Sequence, residues 1–76
     1  SIVVDQNDRP EIAYYDVTNG ALKYASWNGD KWEIQTVDDA ADVGMYASLA
    51  QLTSGASAIA YYDASSQNLK YAEQQP

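Results

Sequence analysis

The 76-residue chain contains no cysteine, no histidine and no phenylalanine. Without cysteine there is no disulfide to staple a small fold and no thiolate to hold zinc or act as a nucleophile. Without histidine the commonest general base, the Ser-His-Asp triad and the usual transition-metal ligand are missing. Basic residues are scarce: four Lys and Arg stand against eleven Asp and Glu, a net charge of −7. Nucleic-acid phosphates and anionic membranes repel such a surface, so neither is expected as a partner. No apolar run approaches the roughly 20 residues of a membrane-spanning helix. A domain this small buries only about 60% of its unfolded surface. With disulfides and metals set aside, partner subunits are the support left.

What is present is a repeat. Ile12-Ala13-Tyr14-Tyr15-Asp16 returns 47 residues later as Ile59-Ala60-Tyr61-Tyr62-Asp63, and Leu22-Lys23-Tyr24-Ala25 returns at the same offset as Leu69-Lys70-Tyr71-Ala72. Nine of the fourteen positions from 12 to 25 match without a gap, and the same phase sets Ser1-Ile2 on Ser48-Leu49. Two blocks at one offset make a tandem repeat.

Turn chemistry divides each copy into short strands. Asn7-Asp8-Arg9-Pro10, Thr18-Asn19-Gly20 and Asn28-Gly29-Asp30 punctuate the first copy; Thr53-Ser54-Gly55 and Ser65-Ser66-Gln67-Asn68 punctuate the second. The strands predicted between them cover 1–5, 11–16, 21–27 and 32–37, then 48–52, 58–63 and 68–73. Their Ile, Val and Tyr suit a pleated sheet. Alanine-rich 38–52 carries some helical spacing at Val43, Tyr46, Ala47 and Ala50, but Gly44 interrupts it and the repeat phase marks 48–52 as strand. Residues 38–47 are therefore expected to form an exposed acidic connection.

Tyr14 and Tyr15 point to opposite faces of their strand, as do Tyr24 and Trp27, so both faces of the sheet need cover. Face-to-face stacking of four-stranded meanders at a period in the forties describes the blades of a β-propeller. The expected fold is all-β: one four-stranded antiparallel meander blade over 1–37, the connection 38–47, and a partial blade over 48–76. That is about one and a half blades in a single unit, 1–76. A β-sandwich is the rival, but it requires no in-phase repeat.

The pattern from Ile12 through Trp32 (I-A-Y-Y-D-x-x-N-G-x-L-K-Y-A-x-W-N-G-x-x-W) resembles bacterial and archaeal propeller-type repeat proteins, many of them extracellular. More loosely it is similar to the small fucose-binding lectins whose two-blade chains trimerise. The resemblance implies an extracellular or cell-surface setting and a homo-oligomer, a trimer first, or further blades of a longer chain. In those lectins an arginine, a glutamate and an aromatic residue hold the sugar between blades. By position these fall on Ala13, Tyr24 and Trp27, so only the aromatic is kept.

Trp27 and Trp32 flank the Asn28-Gly29-Asp30-Lys31 loop and should face each other across a hairpin, as a packing pair or as a platform for a sugar ring. Tyr15 and Tyr24 are further candidates for a polar ligand, though their recurrence as Tyr62 and Tyr71 equally marks blade packing. Asp16 and Asp63 each end a strand before a turn and are expected to cap it. Paired carboxylates are the only catalytic machinery open to the chain, and Glu11, Glu33, Asp16 and Asp63 are available for it, though nothing in the sequence brings two of them together. Asp5-Gln6-Asn7-Asp8 lacks the spacing of a calcium loop, and the acidic stretch 38–42 reads as solvated. The sequence thus predicts a non-catalytic propeller-repeat module, carbohydrate-binding in the leading version, with no catalytic residue, metal or cofactor. The alternatives are a structural or adhesive repeat and a fragment of a glycoside-active enzyme.

Overall fold

A computed structural model describes residues 1–40 and 42–74. Ala41, inside the expected connection, and the tail Gln75-Pro76, at the end of the expected partial blade, lie outside the described residues. The chain is all-β, with seven strands among the described residues: β1 (Ile2–Val4), β2 (Pro10–Asp16), β3 (Ala21–Trp27), β4 (Trp32–Asp38), β5 (Val43–Gln51), β6 (Ser57–Asp63) and β7 (Asn68–Glu73). The first four form one antiparallel meander in the order β1-β2-β3-β4, and the last three a second in the order β5-β6-β7.

Short polar side chains close the turns, because each offers an oxygen to the amides that the turn leaves free. Asp5 Oδ1 accepts the Asn7 and Arg9 amides, and Asn28 Oδ1 accepts those of Asp30 and Lys31. The aspartates that end β2 and β6 act as expected. Asp16 Oδ1 takes the Thr18 and Asn19 amides, and Asp63 Oδ1 takes those of Ser65 and Ser66. Their turn partners hold both carboxyls below the usual range, led by the Asn19 side chain at Asp16 and the Ser66 side chain at Asp63.

The expected strands β3 and β7 coincide with the observed ones, and β1, β2, β4 and β6 agree within one residue at each end. The connection 38–47 requires correction. Val43 to Ala47 belong to β5, and Val43 and Gly44 are buried rather than exposed. Two register shifts, between Val43 and Met45 and between Met45 and Ser48, bend this strand. Gly44 takes φ +111°, and its missing side chain leaves room for the Leu22 backbone. The glycine therefore serves close approach between sheets. The Val43 amide also donates to the Gly20 carbonyl, tying the start of β5 to the β2–β3 turn.

The two meanders meet face to face. Alternation puts Val3, Glu11, Ala13, Tyr15, Leu22 and Tyr24 on the inner face of the first sheet; Leu49, Ile59, Tyr61 and Ala72 oppose them from the second. Ala13, Leu22, Tyr24, Val43, Leu49, Ile59 and Tyr61 make one continuous buried cluster. The outer faces carry Ile2, Val4, Tyr14, Trp32 and Ile34 on one sheet and Leu69 and Tyr71 on the other, all exposed. Read through the 47-residue offset, each inner residue of the first sheet is the repeat image of an outer residue of the second. The junction therefore joins unlike faces of like units.

Candidate functional site

Among the described residues the first sheet has four strands and the second three, so part of the inner face of β4 has no described strand opposite it. A groove of about 400 Å³ opens there. Tyr24, Ser57 and Ile59 line it along with Gln35, Thr36 and Val37 from β4 and Ala72, Glu73 and Gln74 from the end of β7. A second hollow of about 290 Å³ shares Tyr24, Gln35 and Gln74 and adds Ser26, Glu33 and Ile34. The lining mixes amide, hydroxyl and carboxylate groups with an aliphatic and phenolic surface.

Beneath the groove lies a polar chain that crosses the junction. The Ser57 hydroxyl donates to Glu11 Oε1 at 2.5 Å, and the Tyr24 hydroxyl lies 3.4 Å from the same Ser57 oxygen. Serine has one proton to give, so with that proton on Glu11 the Tyr24 phenol is the donor to Ser57. Burial and the neighbouring Glu11 charge push the Tyr24 phenol up, so it stays protonated. The Ser57 backbone is held in turn by Gln74, whose amide donates to the Ser57 carbonyl at 2.8 Å and whose Oε1 accepts the Ser57 amide at 3.2 Å.

At the other end of the junction, carboxylates pair with phenols. Tyr61 donates to Asp38 Oδ2 at 2.7 Å, and Lys70 reaches the same oxygen at 3.2 Å. Tyr15 donates to Asp42 Oδ1 at 2.5 Å. Burial and then the Asp38 carboxylate push the Tyr61 phenol up to about 12. Burial alone would raise Asp38, but the Ala40 amide, Tyr61 and Lys70 outweigh it and hold the carboxyl below its usual range.

Trp27 and Trp32 are register partners, with ring centroids 5.6 Å apart and planes at 63°. This is the cross-hairpin pair the sequence predicts, and it stands on the outer face of the first sheet, away from the groove. Tyr24 lies on the inner face at the groove. Tyr15 shares that face but is committed to Asp42. The four candidate residues thus belong to two opposite surfaces. Of the candidate catalytic carboxylates, Glu11 is buried on Ser57, Asp16 and Asp63 hold turns, and Glu33 accepts the Asn28 side-chain amide. Among the described residues no group of three or more acidic side chains is arranged to hold a metal.

Sequence reasoning missed Gln35, Ser57 and Gln74. A signal for part of this lies in the departures from the repeat. Glu11 has Ala58 as its image, Ser57 has Pro10, and Gln74 has Trp27. All three departures cluster at this end of the junction. No family model, curated protein or solved structure matches the chain.

Proposed function

We propose that the chain is a propeller-type repeat module that binds a ligand rather than transforming it, and that the groove between its sheets takes a neutral polyhydroxylated molecule, a saccharide. The groove's lining carries this reading. Gln35 and Gln74 offer uncharged donors and acceptors beside the apolar surface of Tyr24, Ile59 and Ala72. That pairing suits a sugar, which presents hydroxyls at its rim and C–H groups on its faces. Binding of this kind needs no cofactor. By its resemblance to propeller repeats the module would work at the cell surface or outside the cell.

A glycan array followed by titration tests this. The expected result is selective retention that Gln35→Ala and Gln74→Ala abolish and Trp32→Ala leaves intact. Retention lost only with Trp32→Ala would move the site to the outer aromatic pair. If no glycan is retained, the chain is a structural or adhesive repeat. Glycoside turnover abolished by Glu33→Gln would replace binding with hydrolysis.

A further inference from the structure

We infer that the two bare outer faces of the molecule are halves of one interface, and that each is covered by a second copy of this chain stacked head to tail. The inference rests on the reading of the two sheets as successive units of one stack. Its basis is how differently repeat images are treated inside and outside the chain. On one side of the internal junction Leu22 and Tyr24 are 0% and 5% exposed, whereas their images Leu69 and Tyr71 are 81% and 60% exposed. On the other side Leu49 and Tyr61 are each 5% exposed, whereas their images Ile2 and Tyr14 are 64% and 36% exposed. The same side chains that seal the internal junction thus stand open at both ends of the molecule. Contiguous exposed apolar surface of this sort marks an interaction site.

Finer contacts carry over as well. At the internal junction the Leu49 amide donates to the Ser1 hydroxyl at 3.0 Å. The image of that hydroxyl is Ser48, which is exposed, and the image of that amide is Ile2. Ser1 and Ala13 exchange both backbone hydrogen bonds, so the neighbouring Ile2–Ile12 pair exchanges none and the Ile2 amide points off the open edge of β1. Donor and acceptor are both ready for a second copy. Where the internal junction buries Glu11 against Ser57, the images are Ala58 and Pro10. Both halves of a polar pair have become apolar together, so no unpaired carboxylate would be buried between copies. The image of Gln74 is Trp27, which adds aromatic area beside the position that Tyr71 of the next copy would reach. With −7 per chain, association should therefore strengthen as salt screens the repulsion.

Unlike faces in contact make a heterologous interface, which closes into a ring when the rotation per chain fits. At two units per chain, rings of roughly four to eight blades need about two to four chains.

Light scattering after size exclusion tests the inference through two single variants on opposite faces, Leu69→Arg and Ile2→Arg. The wild type is expected to run as a discrete oligomer, a trimer near 25 kDa from the 8.3 kDa chain. Each variant alone should be a folded monomer by circular dichroism. Mixed in equal amounts, the two should form a dimer and nothing larger, because each retains one competent face. Val17→Arg, equally exposed but in a turn, should leave the oligomer intact. A wild-type monomer at high micromolar concentration would overturn the inference, as would variants that keep the wild-type mass or a mixture that stays monomeric. Glycan binding by such a monomer would leave the groove reading standing.

Discussion

Replacing Gly44 by alanine would set a methyl group 2.8 Å from the Leu22 Cα, 3.0 Å from its Cβ and 3.1 Å from its backbone nitrogen. Real Cβ atoms do not approach backbone this closely. Leu22 is fully buried near the start of β3, and because the overlap is with its backbone no side-chain rotation clears it. The sheets must separate or β5 must shift, and such overpacking costs about 1–3 kcal/mol. The alanine would also have to hold φ +111°, at about 1–3 kcal/mol more. The total is about 2–6 kcal/mol, against about 4–11 kcal/mol of stability for a chain of this length. At about 4–8 °C per kcal/mol the melting temperature should fall by at least about 8 °C. Gly55→Ala separates the two causes. Gly55 has φ +92° but nothing within 4 Å of an added Cβ, so that variant carries the backbone strain alone. Thermal melts by circular dichroism, at one protein concentration, should place Gly44→Ala well below Gly55→Ala. Melting temperatures within about 2 °C of each other would refute the claim that Gly44 exists for close packing of the sheets.

Ser57→Ala removes the donor to buried Glu11 and should cost about 1–3 kcal/mol by urea denaturation, while the Glu11→Ala/Ser57→Ala double variant should recover part of the loss because no carboxylate is left unpaired. Asp16, Asp38 and Asp63 titrate below their unfolded value of 3.8, so they stabilise the fold above about pH 4. Melts taken down to about pH 2 should show that stability lost as pH falls through the lowered values, and a flat profile would contradict it. Tyr61 has the opposite sign: its contribution is intact below pH 10 and lost as pH rises toward about 12, so in a phenolate absorbance titration Tyr61→Phe should remove a step from the late part of the curve. Trp27→Ala should lower stability by about 0.5–1.5 kcal/mol beyond its lost buried area, since the edge-to-face partner Trp32 is left alone.

Local chemistry made the meanders legible in advance. Asn28-Gly29 announced the hairpin and with it the Trp27–Trp32 pairing, and Asp16 and Asp63 announced their turns. β5 was misjudged because its first half obeys a tertiary demand. Gly44 reads as a breaker in isolation and shows its purpose only once Leu22 lies against it. The candidate site was legible only in part for a similar reason. Strand alternation could say that Tyr24 and Trp27 point apart, but not which face would meet the second sheet. The groove arises where β4 overhangs a sheet of three strands, a consequence of how the sheets are offset rather than of any local motif. Its polar chain was nonetheless written in the sequence as the places where Glu11 and Ser57 break the repeat.

Thiol cross-linking between two single-cysteine variants tests the head-to-tail relation of the faces most directly, because the chain has no cysteine of its own. Tyr24 and Ser57 meet at the internal junction, so their images Tyr71 and Pro10 should meet between copies. Tyr71→Cys and Pro10→Cys chains, refolded together and treated with a short bifunctional thiol reagent, should yield a covalent dimer holding one of each. Neither variant should cross-link when treated alone. A Tyr71→Cys homodimer would mean that like faces meet, and no product from the mixture would mean that the faces do not meet at all; either result contradicts the account.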